Sequence, residues 1–111
     1  MAPKTPMPGR KVRGSTTGLP IMAALDLAGR RWLLRILWEL RDGALTFRAL
    51  QQRCGAISPT VLNTRLGEMR EVGLLNPGDD GYALTARGHD LIEALLPLTR
   101  WAERWAREDG K

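Results

Sequence analysis

From Leu19 onward, apolar residues recur at helical spacing, interrupted by Gly, Pro, Asp and Asn. Leu19 to Ala28 predicts a short first helix, with Pro20 near its start and Gly29 ending it. Arg30 to Arg41 predicts a second helix, in which Trp32, Leu33, Ile36, Leu37 and Leu40 repeat on one side. Leu34 and Trp38 widen that stripe, so this helix belongs at the centre of the domain. Trp32 and Trp38 could line a ligand pocket, but tryptophans so placed are more often core. Asp42-Gly43 breaks the helix, and Ala44-Leu45 can add one short strand. Thr46 then caps a third helix, Phe47 to about Cys54, with Phe47, Leu50 and Cys54 inward. Gly55-Ala56 is a brief turn.

The stretch from Ile57 to Leu74 predicts a fourth helix with both ends marked. Ser58 is a good N-cap, because its hydroxyl can accept from an orphan backbone N–H of the first turn. Pro59 follows where a missing N–H costs nothing, and Gly73 supplies a left-handed residue at the end. Leu62, Leu66 and Met69 share one face, with Val61 and Val72 at its margins. The opposite face holds Thr60, Asn63, Thr64 and Gly67. A solvated helix face usually carries long charged side chains paired four apart. Short hydrogen-bonding side chains beside Arg65 suit a face that must approach another surface closely, such as a DNA major groove. The bland alternative is a polar exterior with no partner. Two short helices joined by a few residues, the second with such a face, form the helix-turn-helix pattern.

Leu74-Leu75 and Tyr82-Ala83-Leu84 are short apolar runs separated by Asn76 to Gly81, a stretch of turn-forming residues. They predict a β-hairpin, hence a wing. Thr85 caps a last helix beginning at Ala86. Its apolar face is Leu91, Leu95, Leu98, Ala102 and Trp105, with Ile92, Leu96 and Trp101 beside it. Pro97 lies inside that pattern and predicts a kink or a break. Residues 1–18, rich in Pro, Gly, Ser and Thr without periodicity, are expected to be a flexible basic tail, with one domain over 19–111.

Charge sharpens this picture. Residues 1–18 hold Lys4, Arg10, Lys11 and Arg13 with no acid. Residues 30–70 hold eight arginines against Glu39, Asp42 and Glu68, whereas residues 71–111 are net acidic. Positive charge therefore gathers in the tail and in the segment ending at the fourth helix, which points to a polyanion. The alternative is a tail that only confers solubility.

Little chemistry is available for catalysis. His89 is the only histidine and lies on a polar flank of the last helix, where solvation is expected. No glycine-rich phosphate loop is present, and nothing places a nucleophile beside a base, so no enzyme, cofactor or metal site is expected. The single Cys54 excludes an internal disulfide and fits a reducing cytoplasm. It reads as a buried structural thiol, since a redox switch needs an exposed, low-pKa thiolate. No apolar run of membrane-spanning length and no signal peptide is seen.

Several blocks also match one family in order. Leu25-Asp26-Leu27-Ala28-Gly29-Arg30-Arg31-Trp32, then Leu37-Trp38-Glu39-Leu40 and Gly43 to Leu50, resemble the HxlR-type transcriptional regulators. So do Gly55 to Leu62 with Arg65-Leu66, Glu68 and Gly73-Leu74, and Leu84-Thr85-Ala86-Arg87-Gly88 before the last helix. The resemblance runs from about Leu19 to Trp105. It implies a mainly α winged helix-turn-helix domain, a homodimer built from the first and last helices, and control of transcription in a prokaryotic cytoplasm. Many members begin the domain with Cys-Pro; here the pair is Leu19-Pro20, so cysteine-based sensing cannot be carried over. The wing is shorter than the family's, with Asp79 and Asp80 at its tip where a basic residue would suit DNA.

The resulting expectation is a dimeric DNA-binding regulator, acting as a repressor. Thr60, Asn63 and Thr64 should face base edges in double-stranded DNA, with Arg65 near a base or phosphate. Thr46, Arg48 and Ser58, at or near helix starts, should meet the backbone. Ile21, Leu25, Leu95, Leu98, Trp101 and Trp105 should form the dimer interface. The competing class is a protein-interaction module that has kept the winged fold and lost DNA binding. The operator, the controlled genes and the identity of any small-molecule effector stay open.

Overall fold

The structure, a computed structural model, describes residues 5–8, 19–78 and 81–109. It is mainly α with one small hairpin. In chain order, α1 is Pro20–Ala28, α2 Leu33–Glu39, α3 Phe47–Arg53, α4 Pro59–Glu71, β1 Leu75–Gly78, β2 Gly81–Leu84 and α5 Ala86–Glu108.

The core follows the predicted stripes. Leu33, Ile36, Leu37 and Leu40 of α2 and its C-cap are buried against Leu50, Cys54 and Ile57, and against Leu62, Leu66 and Met69 of α4. Leu74, Leu75 and Ile92 close this cluster from the wing and α5. Fully burying each such side chain contributes about 1.5–3 kcal/mol, so the helix-turn-helix is fixed by its α2 contacts more than by local propensity.

Two expectations about α2 and its flanks need correction. The helix starts at Leu33, not Arg30. Arg30 to Trp32 form a turn, with Trp32 in the left-handed region at φ 76°. A left-handed residue cannot continue a right-handed helix, so Trp32 stops α2 from extending upstream to Arg30. Trp32 and Trp38 are partly buried and pack against the edge of the core rather than inside it. A seven-residue helix buries one stripe, which the leucines and Ile36 occupy. The two rings instead carry guanidinium groups: Arg31 stands 5.8 Å from the Trp32 centroid and Arg41 4.1 Å from that of Trp38.

The wing also differs from expectation. Asn76, Pro77 and Gly78 lie in β1 and pair antiparallel with Ala83, Tyr82 and Gly81, so only residues 79–80 are left between the strands. Leu45 bridges Tyr82 from the other side, exchanging backbone bonds of 3.0 and 2.8 Å, a single-residue bridge where a short strand over Ala44-Leu45 was expected. β2 is thus central and β1 an edge, the place where a strand tolerates Pro77. Gly81 sits at φ +125°, and a Cβ there would run into the Leu45 carbonyl. Asp79 and Asp80 lie outside the described residues.

α5 runs through Pro97 without a break. Pro97 is exposed, and the i−4 carbonyl it leaves unpartnered belongs to Glu93 on the same exposed face, where water can satisfy it. From Trp101 to Asp109 every residue is exposed, so the last turns of α5 stand clear of the core. At the other end of the chain, Thr5 and Pro6 are buried, and the Thr5 hydroxyl donates to a Glu71 carboxylate oxygen at 3.0 Å. The tail is therefore not free along its whole length: Pro6 and Met7 find apolar surface that composition alone did not predict. Lys4, Arg10, Lys11 and Arg13 lie outside the described residues.

Candidate nucleic-acid interface

The two helices of the motif are positioned by their ends. The Thr46 hydroxyl accepts from the Ala49 N–H at 3.1 Å, and that of Ser58 from the Val61 N–H at 3.1 Å. Each satisfies one orphan donor of a helix start and leaves neighbouring N–H groups directed outward. The α3–α4 turn uses two left-handed residues, Gly55 at φ 72° and Ala56 at φ 63°. Gln51 Nε2 bonds the Ile57 carbonyl across it at 3.0 Å. Arg35 ties α2 to the end of α3, donating to the Arg53 carbonyl at 2.7 Å and to Glu39 at 2.9 Å.

α4 presents the expected polar face. Thr60, Asn63 and Thr64 are exposed, while Leu62, Leu66 and Met69 are buried on the reverse. The Thr64 hydroxyl donates to the Thr60 carbonyl at 2.9 Å, which holds that side chain close to its own helix. Thr46, Arg48 and Ser58 are exposed at the two helix starts.

Arg65, expected near a base or phosphate, is held inside the chain. Its Nε donates to the Arg31 carbonyl at 2.7 Å and an Nη to Glu68 at 3.0 Å. The second Glu68 oxygen meets Arg30 at 2.6 Å. Side-chain exposures of 19% for Arg65, 13% for Glu68 and 14% for Arg30 make this a largely desolvated cluster. Two guanidiniums on one carboxylate lock α4 to the turn before α2.

Two further exposed arginines, Arg70 and Arg31, lie beside this face. Arg70 continues the stripe of Thr60, Asn63 and Gly67 at helical spacing, so extending the pattern by one turn finds it. Arg31 lines a groove of about 340 Å3 with Ser58, Val61 and Arg65, at the start of α4. Only the fold brings it there, across more than two dozen residues of sequence. The exposed large hydrophobics form a second class of surface: Ile21 and Leu25 on α1, and Leu98, Trp101 and Trp105 on α5. The Trp101 and Trp105 ring centroids lie 5.2 Å apart, with the planes tilted by 34°. Leu95 packs against the core edge instead. His89 is exposed, and Cys54 is buried, its thiol pKa pushed up first by burial.

Among the described residues, no helix is long and apolar enough to cross a membrane. A family model for the HxlR-like helix-turn-helix matches residues 27–110. The chain is 36% identical over 95 residues to the uncharacterised HTH-type transcriptional regulator Rv3095 of Mycobacterium tuberculosis, spanning 79% of this chain and 60% of that relative. It resembles the quinone-bound YodB of B. subtilis with a TM-score of 0.72 at 27% identity, covering 76% of this chain and 96% of that one. A "possible HxlR family transcriptional factor" from Thermoplasma volcanium superposes with a TM-score of 0.69 at 26% identity, covering 79% and 85%. The chain belongs to the HxlR-like helix-turn-helix family of transcriptional regulators.

Proposed function

We propose that this chain is a dimeric repressor that reads operator DNA with α4. The observation that carries the reading is the α4 face: exposed, short-chained side chains at Thr60, Asn63 and Thr64, backed by a buried stripe and flanked by two capped helix starts. Thr60 and Asn63 face base edges in the major groove, with Thr64 beside them. Thr46, Arg48 and Ser58 meet phosphates, where helix starts favour anions. Arg31 and Arg70 extend that positive frame. Arg65 serves by holding α4 at its angle.

The dimer joins α1 and α5 through Ile21, Leu25, Leu98, Trp101 and Trp105, whose exposure supports the reading. Two-fold symmetry then places half-sites one helical turn apart, roughly 34–36 Å. Repression follows from a dimer occupying promoter DNA, and the site of action is the cytoplasm. Among the described residues, no nucleophile stands beside a base and an orienting group.

Binding to the DNA flanking its own gene, measured against salt, tests the proposal. Phosphate contacts release counterions, so affinity should fall linearly on a log–log plot. Asn63→Ala should lose roughly 1–3 kcal/mol of base discrimination if the amide bonds a base edge in bidentate fashion. Binding with no salt dependence would favour the reading as a protein-interaction module, whereas an unchanged operator preference in Asn63→Ala would remove Asn63 from the base contacts alone.

A further inference from the structure

Between α1 and the end of α4 lies a cleft of about 430 Å3. Ala23, Ala24 and Leu27 of α1 form one wall, and Val72 and Leu74 form another. Met7 and its two flanking prolines also line it, with Thr5 tied to Glu71 at the last residue of α4. Arg87, at the start of α5, is the one charged residue among the described residues that line the cleft. Its guanidinium donates to the Val72 carbonyl at 2.9 Å, at the C-cap of α4. It also packs on Gly73, which stands at φ +82°. A cation there offsets the negative end of the helix dipole.

We infer that this cleft is a binding site for a small apolar carboxylate, with its hydrocarbon body against α1 and its carboxylate on Arg87. The volume suits a ligand of one or two rings, and such sites pair apolar walls with a few placed polar groups. A single guanidinium offers a planar fork matched to one carboxylate. A dianion would leave charge unpaired among alanine, leucine and proline. The ligand also bears on α4. Arg87 divided between a bound carboxylate and the Val72 carbonyl holds the end of α4 less tightly. Effector control of DNA binding by this route rests on the function proposed above; the binding itself does not.

The experiment titrates the full 15N-labelled chain with 2-naphthoate and with its neutral analogue 2-naphthamide. A saturable response should centre on Ala24, Leu27, Val72 and Leu74, with the amide at least about tenfold weaker, as expected for loss of a charge-assisted bond. Arg87→Gln should weaken 2-naphthoate by a similar factor, and Arg87→Lys should recover part of it. Ala24→Trp, at an exposed position, should fill the cleft and abolish binding without unfolding the chain. Amide exchange at Gly73 and Leu74 should quicken with 2-naphthoate bound. No saturation at millimolar 2-naphthoate, equal affinity for the amide, or shifts centred elsewhere would overturn the site. Unchanged exchange would overturn its link to α4. A protein that binds 2-naphthoate but not operator DNA counts against the DNA reading alone.

Discussion

Arg65 donates its Nε hydrogen to the carbonyl of Arg31 at 2.7 Å, joining the middle of α4 to the turn before α2. Glu68 completes the tie by holding both Arg65 and Arg30. The cluster sets the pitch of the polar α4 face relative to the body. Glu68→Gln leaves two largely buried guanidiniums without their carboxylate and should cost about 2–4 kcal/mol in urea unfolding, since breaking such a pair strands charge. Arg65→Ala should cost about 1–3 kcal/mol. Binding-site selection with Arg65→Ala should return the parent sequence preference at weaker affinity. A changed base preference would return Arg65 to the reading set.

Thr85 carries two structural bonds. Its hydroxyl accepts from the Gly88 N–H at 3.1 Å and donates to the Gly73 carbonyl at 2.5 Å. One group thus caps α5 and fixes the end of α4 against it. Thr85→Ala should lower stability by about 1–2 kcal/mol, and Thr85→Ser should restore most of it. Thermal unfolding of the three proteins checks this.

Trp101 and Trp105 are 49% and 55% exposed and belong to the last, free-standing turns of α5. Trp101→Ala with Trp105→Ala should therefore weaken the proposed dimer while leaving the far-ultraviolet spectrum unchanged. Sedimentation at micromolar concentration should show dimer for the parent and a shift to monomer for the variant. A parent that sediments only as monomer would remove the assembly from the proposal.

Cys54 is 1% exposed, and burial pushes its thiol pKa up, with Arg35 opposing and Glu39 adding to the shift. The native thiol should react with a disulfide reagent only as fast as the chain opens. In the unfolded chain the thiol ionises near its ordinary value of about 8.5. The neutral buried thiol therefore contributes stability that is intact below that pH and is lost as pH rises through the higher folded value. Cys54→Ala should flatten the alkaline part of the stability–pH curve.

The basic arm gives a salt-slope prediction. Each phosphate neutralised steepens the slope by about 0.9. A chain beginning at Leu19 lacks Lys4, Arg10, Lys11 and Arg13 and should bind with a slope flatter by up to about 3–4 per protomer if all four engage. Its sequence preference should stay with α3 and α4. Equal slopes would leave DNA contact to the helix-turn-helix alone.

The local signals in the sequence were sufficient for most elements. Ser58-Pro59, Thr46 and Thr85 marked helix starts because a side-chain oxygen reaches a backbone N–H only three residues on. The stripe of Leu62, Leu66 and Met69 fixed which face of α4 turns inward, and with it the exposure of Thr60, Asn63 and Thr64. What stayed illegible depends on residues far apart in the chain. Sequence alone places Arg65 near a base or phosphate, because nothing near it in sequence names the Arg31 carbonyl as its acceptor. Trp32 and Trp38 looked like core because periodicity does not say how wide a stripe seven residues can bury. β1 reached through Asn76 and Pro77 because Tyr82 pairs with both Pro77 and Leu45, a choice made by the sheet. Helix ends and inward faces are set within a few residues of backbone geometry. The partners of long side chains and the seat of Pro6 and Met7 are set by surfaces that exist only after the helices have packed.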